Sequence, residues 1–265
     1  MTTHRTVSRI CTYFESRLLR AWPAALLVML FAAIPAPASA ADCAGTVYLT
    51  LDVGNMVKAQ QIAATLEREH VKATFFLADN PTARGDHALD ASWGDYWRAR
   101  VAEGNAFGNH TWHHYWVRRD LKDGRLLVVD RAGRYHRLDH REFCQEFSHV
   151  DETFHKLTGR HVGVFWRAPG DRITPRSVRW AASCGYPVLV GWQDPGFLGD
   201  ELPSDKYPNK MLLERALKHL QPGDIMLMHL GIHDRKQPLA DVLGPLIEGL
   251  KARHLCFGTL GLTRN

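Results

Sequence analysis

Two histidines, His110 and His114, stand four residues apart in Gly108-Asn109-His110-Thr111-Trp112-His113-His114. At that spacing two side chains share one face of a helical turn. Two imidazoles so placed grip one divalent metal, and imidazole suits zinc, nickel, copper and iron. The chain holds 15 histidines, so one pair is weak evidence by itself. Three further polar groups point to the same place. Asp52 follows the apolar run 47–51, Arg167 closes the run 163–167, and His229 closes 224–229. Each falls at the C-terminal end of a predicted strand, where α/β folds collect catalytic groups.

Together these residue types suit hydrolysis of an amide or ester. A metal polarises the carbonyl and lowers the pKa of its bound water. Asp52 is placed to take the water proton, provided it is held ionised and aimed. Arg167 can do that through a bidentate pair. His229 is placed to return a proton to the leaving nitrogen. Bland readings stand beside these. Asp52 or Asn55 can cap the helix that follows, Arg167 can be a structural ion pair, and His229 can be a satisfied core residue. His233 is a competing acid in the loop after His229, and His113 reads as a surface residue. Trp192, at the end of the run 188–192, suits either the core or a sugar face. Asp194 and Asp200 follow in a loop rich in Pro and Gly, and either can orient His229 or be a solvated acid.

The elements that must position these groups alternate along the chain. Short apolar runs at 47–51, 73–77, 106–109, 163–167, 188–192, 224–229 and 255–260 predict strands. Amphipathic runs at 56–69, 96–103, 142–158, 175–184, 210–220 and 239–253 predict helices. Pro175 suits a first helical turn and Gly185 a helix stop. Strand alternating with helix implies an α/β fold with a parallel sheet of about seven strands, curled into a barrel. One segment breaks the rhythm. Residues 125–130 and 134–138 flank Arg131-Ala132-Gly133 and predict a β-hairpin insertion near 125–138, placed to wall the cleft.

Residues 1–40 read as a signal peptide. Arg5, Arg9, Arg17 and Arg20 precede an apolar run at 21–34, and Ala38-Ser39-Ala40 supplies small residues for cleavage. That run contains Pro23 and is short for a membrane span of about 20 residues, so no stable membrane anchor is expected after cleavage. A secreted or periplasmic domain over 41–265 follows. The formal charge of the chain is +5; without the leader it is about +2, and no nucleic-acid partner is implied. Four cysteines remain in that domain, which suggests two disulfides. In a barrel the first and last strands are neighbours. Cys43 precedes the first and Cys256 opens the last, so these two should pair, leaving Cys144 with Cys184.

The ordered motifs resemble those of the polysaccharide deacetylase family, carbohydrate esterases with the NodB-homology domain. His110-Thr111-Trp112-His113-His114 is similar to the family's H-[ST]-x-x-H metal motif. Lys72-Ala73-Thr74-Phe75-Phe76 is similar to its second-strand signature, and residues 103–109 lead into the histidines as the family does. Arg167-Ala168-Pro169-Gly170 resembles its third motif, residues 185–192 resemble the approach to the fourth, and Leu227-Met228-His229 resembles the last. The resemblance implies a distorted (β/α) barrel and removal of acetyl groups from N-acetylated glycans such as peptidoglycan, chitin or exopolysaccharide. It implies one divalent metal, usually zinc, on His110 and His114. It makes Asp52 the base, Arg167 its holder and His229 the acid. Trp192, Pro169 and Asp194 become candidates for binding substrate. The first motif of the family, T-F-D-D-G, reads Thr50-Leu51-Asp52-Val53-Gly54 here. Val53 stands where the metal-ligating Asp is expected and cannot coordinate, which leaves Asp52 as a possible third ligand. A glycan-binding relative without metal and a metal-independent amidase stay open as alternatives.

Overall fold

A computed structural model describes residues 43–232 and 235–261. The leader at 1–40 and His233 lie outside the described residues. In chain order the elements are β1 (Gly45–Asp52), α1 (Ala59–Arg68), β2 (Thr74–Leu77), α2 (Gly94–Ala102), β3 (Ala106–Asn109), β4 (Trp116–Asp120), β5 (Leu126–Val129) and β6 (Tyr135–Leu138). Then come α3 (His140–Thr158), β7 (Phe165–Trp166), α4 (Pro175–Ser183), β8 (Val188–Leu189), α5 (Asn209–His219), β9 (Ile225–His229), α6 (Leu243–Ala252) and β10 (Leu255–Gly258). The seven predicted strands form one parallel sheet in the order β10-β1-β2-β3-β7-β8, with β9 also paired to β1. This is the expected distorted barrel, and β1 is its hub. The first half of β1 pairs with β10, while Thr50, Leu51 and Asp52 lie opposite both β2 and β9.

Strand alternation sorts β1 into two faces. Val47, Leu49, Leu51 and then Val53 are fully buried in the main core. That core is shared with the apolar face of α1, where Ile62, Ala63 and Leu66 are buried. Thr50 and Asp52 point the other way. Leu51 and Asp52 lie opposite Met228 and His229, so the two chemically active strand ends stand side by side. The loops beyond them meet closely. Gly54 has φ +54, and a Cβ there would lie 2.2 Å from the Gly231 carbonyl oxygen, so only glycine fits.

Several predicted boundaries move for identifiable reasons. The first helix begins at Ala59 rather than at 56, because Met56 takes φ +61. The last is split into a short 3₁₀ turn over Leu239–Val242 and α6. Pro245 has no N–H to bond to the Asp241 carbonyl, so the helix restarts there. Helix α3 starts at His140 on a capping box between Asp139 and Glu142, and α4 starts on Thr174 with Pro175 next to it. The predicted hairpin is present as β5 and β6, but it is two-thirds of a three-stranded antiparallel sheet with β4 on its other side.

Both expected disulfides are formed, Cys43–Cys256 across the β1–β10 pair and Cys144–Cys184 between α3 and the end of α4. The first closes a loop of 213 residues. Chain-entropy arguments give such a closure about 5 kcal/mol, and strain in the folded state lowers that figure. Cys43→Ser with Cys256→Ser should therefore lower the denaturation midpoint far more than any exposed substitution. An unchanged urea midpoint in that double variant would show that the bond carries no stability.

Candidate active site

The buried Asp52 carboxylate is the centre of the site. Its Oδ1 accepts a hydrogen bond from Arg167 Nη1 at 2.8 Å, and its Oδ2 lies 3.5 Å from His110 Nε2. Arg167 is itself buried, and every part of its guanidinium has a partner. Nε and Nη2 donate to the carbonyls of Val190 and Gly191 at 3.3 and 3.4 Å, and the group stacks over the Phe76 ring at 4.1 Å. These bonds explain why the predicted strand 188–192 stops at Leu189: the next carbonyls serve Arg167 in place of a ladder. Burial pushes the Asp52 carboxyl up, but the Arg167 charge, followed by His110 and His229, holds it below its ordinary value. Asp52 is therefore an ion-paired carboxylate and not a helix cap; α1 has no side-chain cap at all.

His110 and His114 come together, although not on a helix. His110 follows the end of β3, and Thr111 and His114 take φ of +60 and +56, so the motif is a tight loop. The rings still meet, with centroids 4.8 Å apart and planes at 77°. His110 Nδ1 donates to the Arg167 carbonyl at 2.8 Å. That bond fixes the tautomer and leaves Nε2 as an acceptor facing Asp52. Burial depresses both imidazoles, His110 to about 4 and His114 well below its ordinary value. The Nδ1 atom of His114 is buried without a hydrogen-bond partner.

This donor pair fits a divalent ion. Both rings are neutral, as ligation requires, one is oriented by a carbonyl, and the other carries an unmatched buried nitrogen. A third protein donor is not in place. Among the described residues, only His140, Cys144 and Cys184 bring three such atoms within 4.8 Å of one another, and both sulfurs there are bonded to each other. Val53 is fully buried on the core face of β1, away from the imidazoles. Asp52 Oδ2, 3.5 Å from His110 Nε2, is the carboxylate oxygen at hand.

His229 faces Asp52 from β9. Asp200, itself buried, accepts from its backbone N–H at 2.6 Å and lies 3.2 Å from Nδ1 through both carboxylate oxygens. Of the two loop acids left open by the sequence, Asp200 is thus the partner of His229. Asp194 is exposed in a 3₁₀ turn and lines neither cavity of the site. Burial opposes protonation of His229, yet Asp200, Asp52 and Glu201 raise its pKa to about 9. The stability this proton contributes is complete below the ordinary imidazole value of 6.5 and is lost as pH rises through about 9.

Asp52, His110, His114 and His229 line a cavity of about 460 Å³ with Asn80, Trp116, Arg131 and Glu201. A smaller space of about 80 Å³ continues past Ala168, Gly170 and Trp192. Trp192 therefore lies at the site, with Arg167 5.5 Å from its ring centroid. Pro169 is buried between two lining residues and does not itself line the space. Glu201 was not legible beforehand. Its Oε1 lies 3.5 Å from His229 Nε2, and its carboxyl is raised above its ordinary value, chiefly by burial. A loop acid has no periodicity to mark it, and its only signal was adjacency to Asp200.

Comparison with known proteins bears on family and fold. The family model for polysaccharide deacetylase matches residues 40–189. The peptidoglycan-N-acetylmuramic acid deacetylase PdaA of Bacillus subtilis is 23% identical over 202 residues, which is 76% of this chain and 66% of that protein. A peptidoglycan N-acetylglucosamine deacetylase of known structure superposes with a TM-score of 0.62 at 22% identity, over 83% of this chain and 90% of the other. A CE4 family pseudoenzyme from Bacillus anthracis superposes with a TM-score of 0.59 at 19% identity, over 82% and 64%. The two solved structures share the fold, and a family-model match over more than half of the sequence assigns the family: this chain belongs to the polysaccharide deacetylases.

Proposed function

We propose that this protein is an exported hydrolase that removes N-acetyl groups from an amino-sugar polysaccharide. The observation that carries the reading is the pairing of two charge couples across one cavity, Asp52 with Arg167 and His229 with Asp200. The first keeps a carboxylate ionised and the second keeps an imidazole protonated. A base and an acid held apart in this way are what general acid–base hydrolysis requires. In this reading Asp52 takes the proton from the attacking water while Arg167 holds its other oxygen. His229, fixed through Nδ1 by Asp200, gives a proton from Nε2 to the leaving nitrogen. A divalent ion, zinc in the first instance, would be held by His110 and His114, with Asp52 Oδ2 as a third donor only where it does not serve as the base; when bound it would polarise the acetyl carbonyl and acidify the water. Trp192 offers a ring face to the sugar.

Two disulfides and the leader sequence support export through an oxidising compartment. Intact mass from the native compartment should begin near Ala41; a membrane-bound chain beginning at Met1 would contradict it. The activity itself is tested by acetate release from a panel of N-acetylated glycans, with and without chelator. Its rate should fall on the alkaline side as His229 loses its proton near pH 9. Asp200→Asn removes the charge that raises that value, so the alkaline limb should move to lower pH. A limb that stays in place in this variant would show that His229 is not the acid. Release of no acetate from any glycan, with metal supplied, would favour the reading as a glycan-binding relative.

A further inference from the structure

We propose that the outer face of the β4–β5–β6 sheet binds an anionic stretch of the glycan whose acetylated sugar occupies the cleft. The polymer would then carry carboxylate or phosphate groups. The inference rests on the deacetylase reading of the cleft and names the substrate class for it.

The register of the sheet carries the argument. Trp116 lies opposite Val129, and Val129 lies opposite Tyr135. Residues directly opposite in antiparallel strands share a face. Trp116 lines the catalytic cavity, and Tyr135 lines a separate open groove of about 480 Å³ together with Arg118, Arg119 and Leu127. One row of the sheet therefore runs from the cleft to the groove. The next row on the same face is Arg119, Leu127 and Arg137. An irregularity between Val117 and Arg119 brings Arg119 onto the same face as Trp116. The opposite face, with Val117, Leu126 and Val128, is buried in the core.

Charge is concentrated on this insertion. Residues 116–138 hold seven Lys or Arg and three Asp. The rest of the domain after the leader has a small acidic excess, so this sheet is the basic part of the molecule. Three of the arginines are partly neutralised: Arg125 and Arg137 by Asp123, and Arg134 by Asp130. Among the described residues no carboxylate lies within ion-pair distance of Arg118 or Arg119. Tyr135, at the far end of the row that begins with Trp116, is 63% exposed. Guanidinium forks match carboxylate and phosphate geometry, and an exposed aromatic ring gives a sugar an apolar surface at low entropic cost. Arginines that served only to block strand-edge pairing would require neither the open groove nor the aromatic row leading to the cleft.

The test uses the full exported chain and three probes of equal length: a hyaluronan oligosaccharide for carboxylate, a phosphomannan oligosaccharide for phosphate, and a neutral chitin oligosaccharide. Binding is read by calorimetry at low and at high salt. At least one acidic probe should bind about tenfold tighter than the neutral one at low salt, two exposed ion pairs being worth roughly that ratio. Salt should remove the advantage, and Arg118→Ser with Arg119→Ser should abolish it while leaving acetate release from a short neutral substrate unchanged. Equal affinity for all three probes overturns the proposal. So does an acidic preference that survives the double variant, or duplex DNA binding through the same arginines as tightly as the acidic glycans. Calorimetry needs no turnover. A protein that releases no acetate but keeps an arginine-dependent acidic preference would lose the hydrolase reading and retain this surface.

Discussion

Asp52→Asn is expected to lower the rate of acetate release by about 10²–10⁴-fold, the range typical of a general acid–base group. The substitution keeps the shape of the side chain and removes its charge. Its closest ionic partner is the buried Arg167, which stays charged. Leaving a buried charge unpaired costs about 3–5 kcal/mol, so the variant should also melt earlier. Rate and stability must therefore be measured together, below the melting range and with circular dichroism confirming the fold. Parent-like turnover in a folded Asp52→Asn protein would remove Asp52 from the mechanism. A slow rate in an unfolded one would not bear on it, and for that case Asp52→Glu, which keeps the charge and displaces it, is the companion measurement. It should fold and still lose most activity.

The second large effect concerns the metal. Zinc titration of the parent should detect one site, and His110→Ala should abolish it. Groups that merely orient a ligand are worth about 10–100-fold in affinity, so loss of a ligand should exceed that range. The parent site should nonetheless be weaker than three-ligand catalytic zinc centres. The cause lies in Asp52, which has one oxygen bound to Arg167 and only Oδ2 free for either a proton or a metal. Val53→Asp would restore the family's residue type, but the side chain starts on the core face of β1. Without metal it should destabilise the protein by about 3 kcal/mol or more, and zinc should recover part of the loss. Unchanged zinc affinity in His110→Ala would mean that the histidines hold no metal.

Much of this site is legible in the sequence. Asp52, Arg167 and His229 each close an apolar run, and in a parallel sheet the ends of such runs converge. Their convergence follows from periodicity alone. The disulfides followed from the same adjacency of first and last strands. What resisted reading was everything set by loops. The histidine pair looked helical because spacing cannot distinguish a helical turn from a loop with two positive φ angles. Strand β4 was missed because Trp116-Val117-Arg118-Arg119 is interrupted by a bulge and loses its alternation. Asp194 and Asp200 were equivalent as letters. Only the path of the chain puts one against His229 and leaves the other in solvent. Glu201 lacked even that much of a signal.

Arg167 has an evolutionary consequence. It terminates β8 by occupying two carbonyls, fills space against Phe76, and neutralises Asp52. Losing it would cost folding before it cost turnover. A change at Arg167 alone would be opposed through stability, since it leaves the Asp52 carboxylate buried and unpaired. The Asp52–Arg167 pair therefore reports on folding as much as on activity.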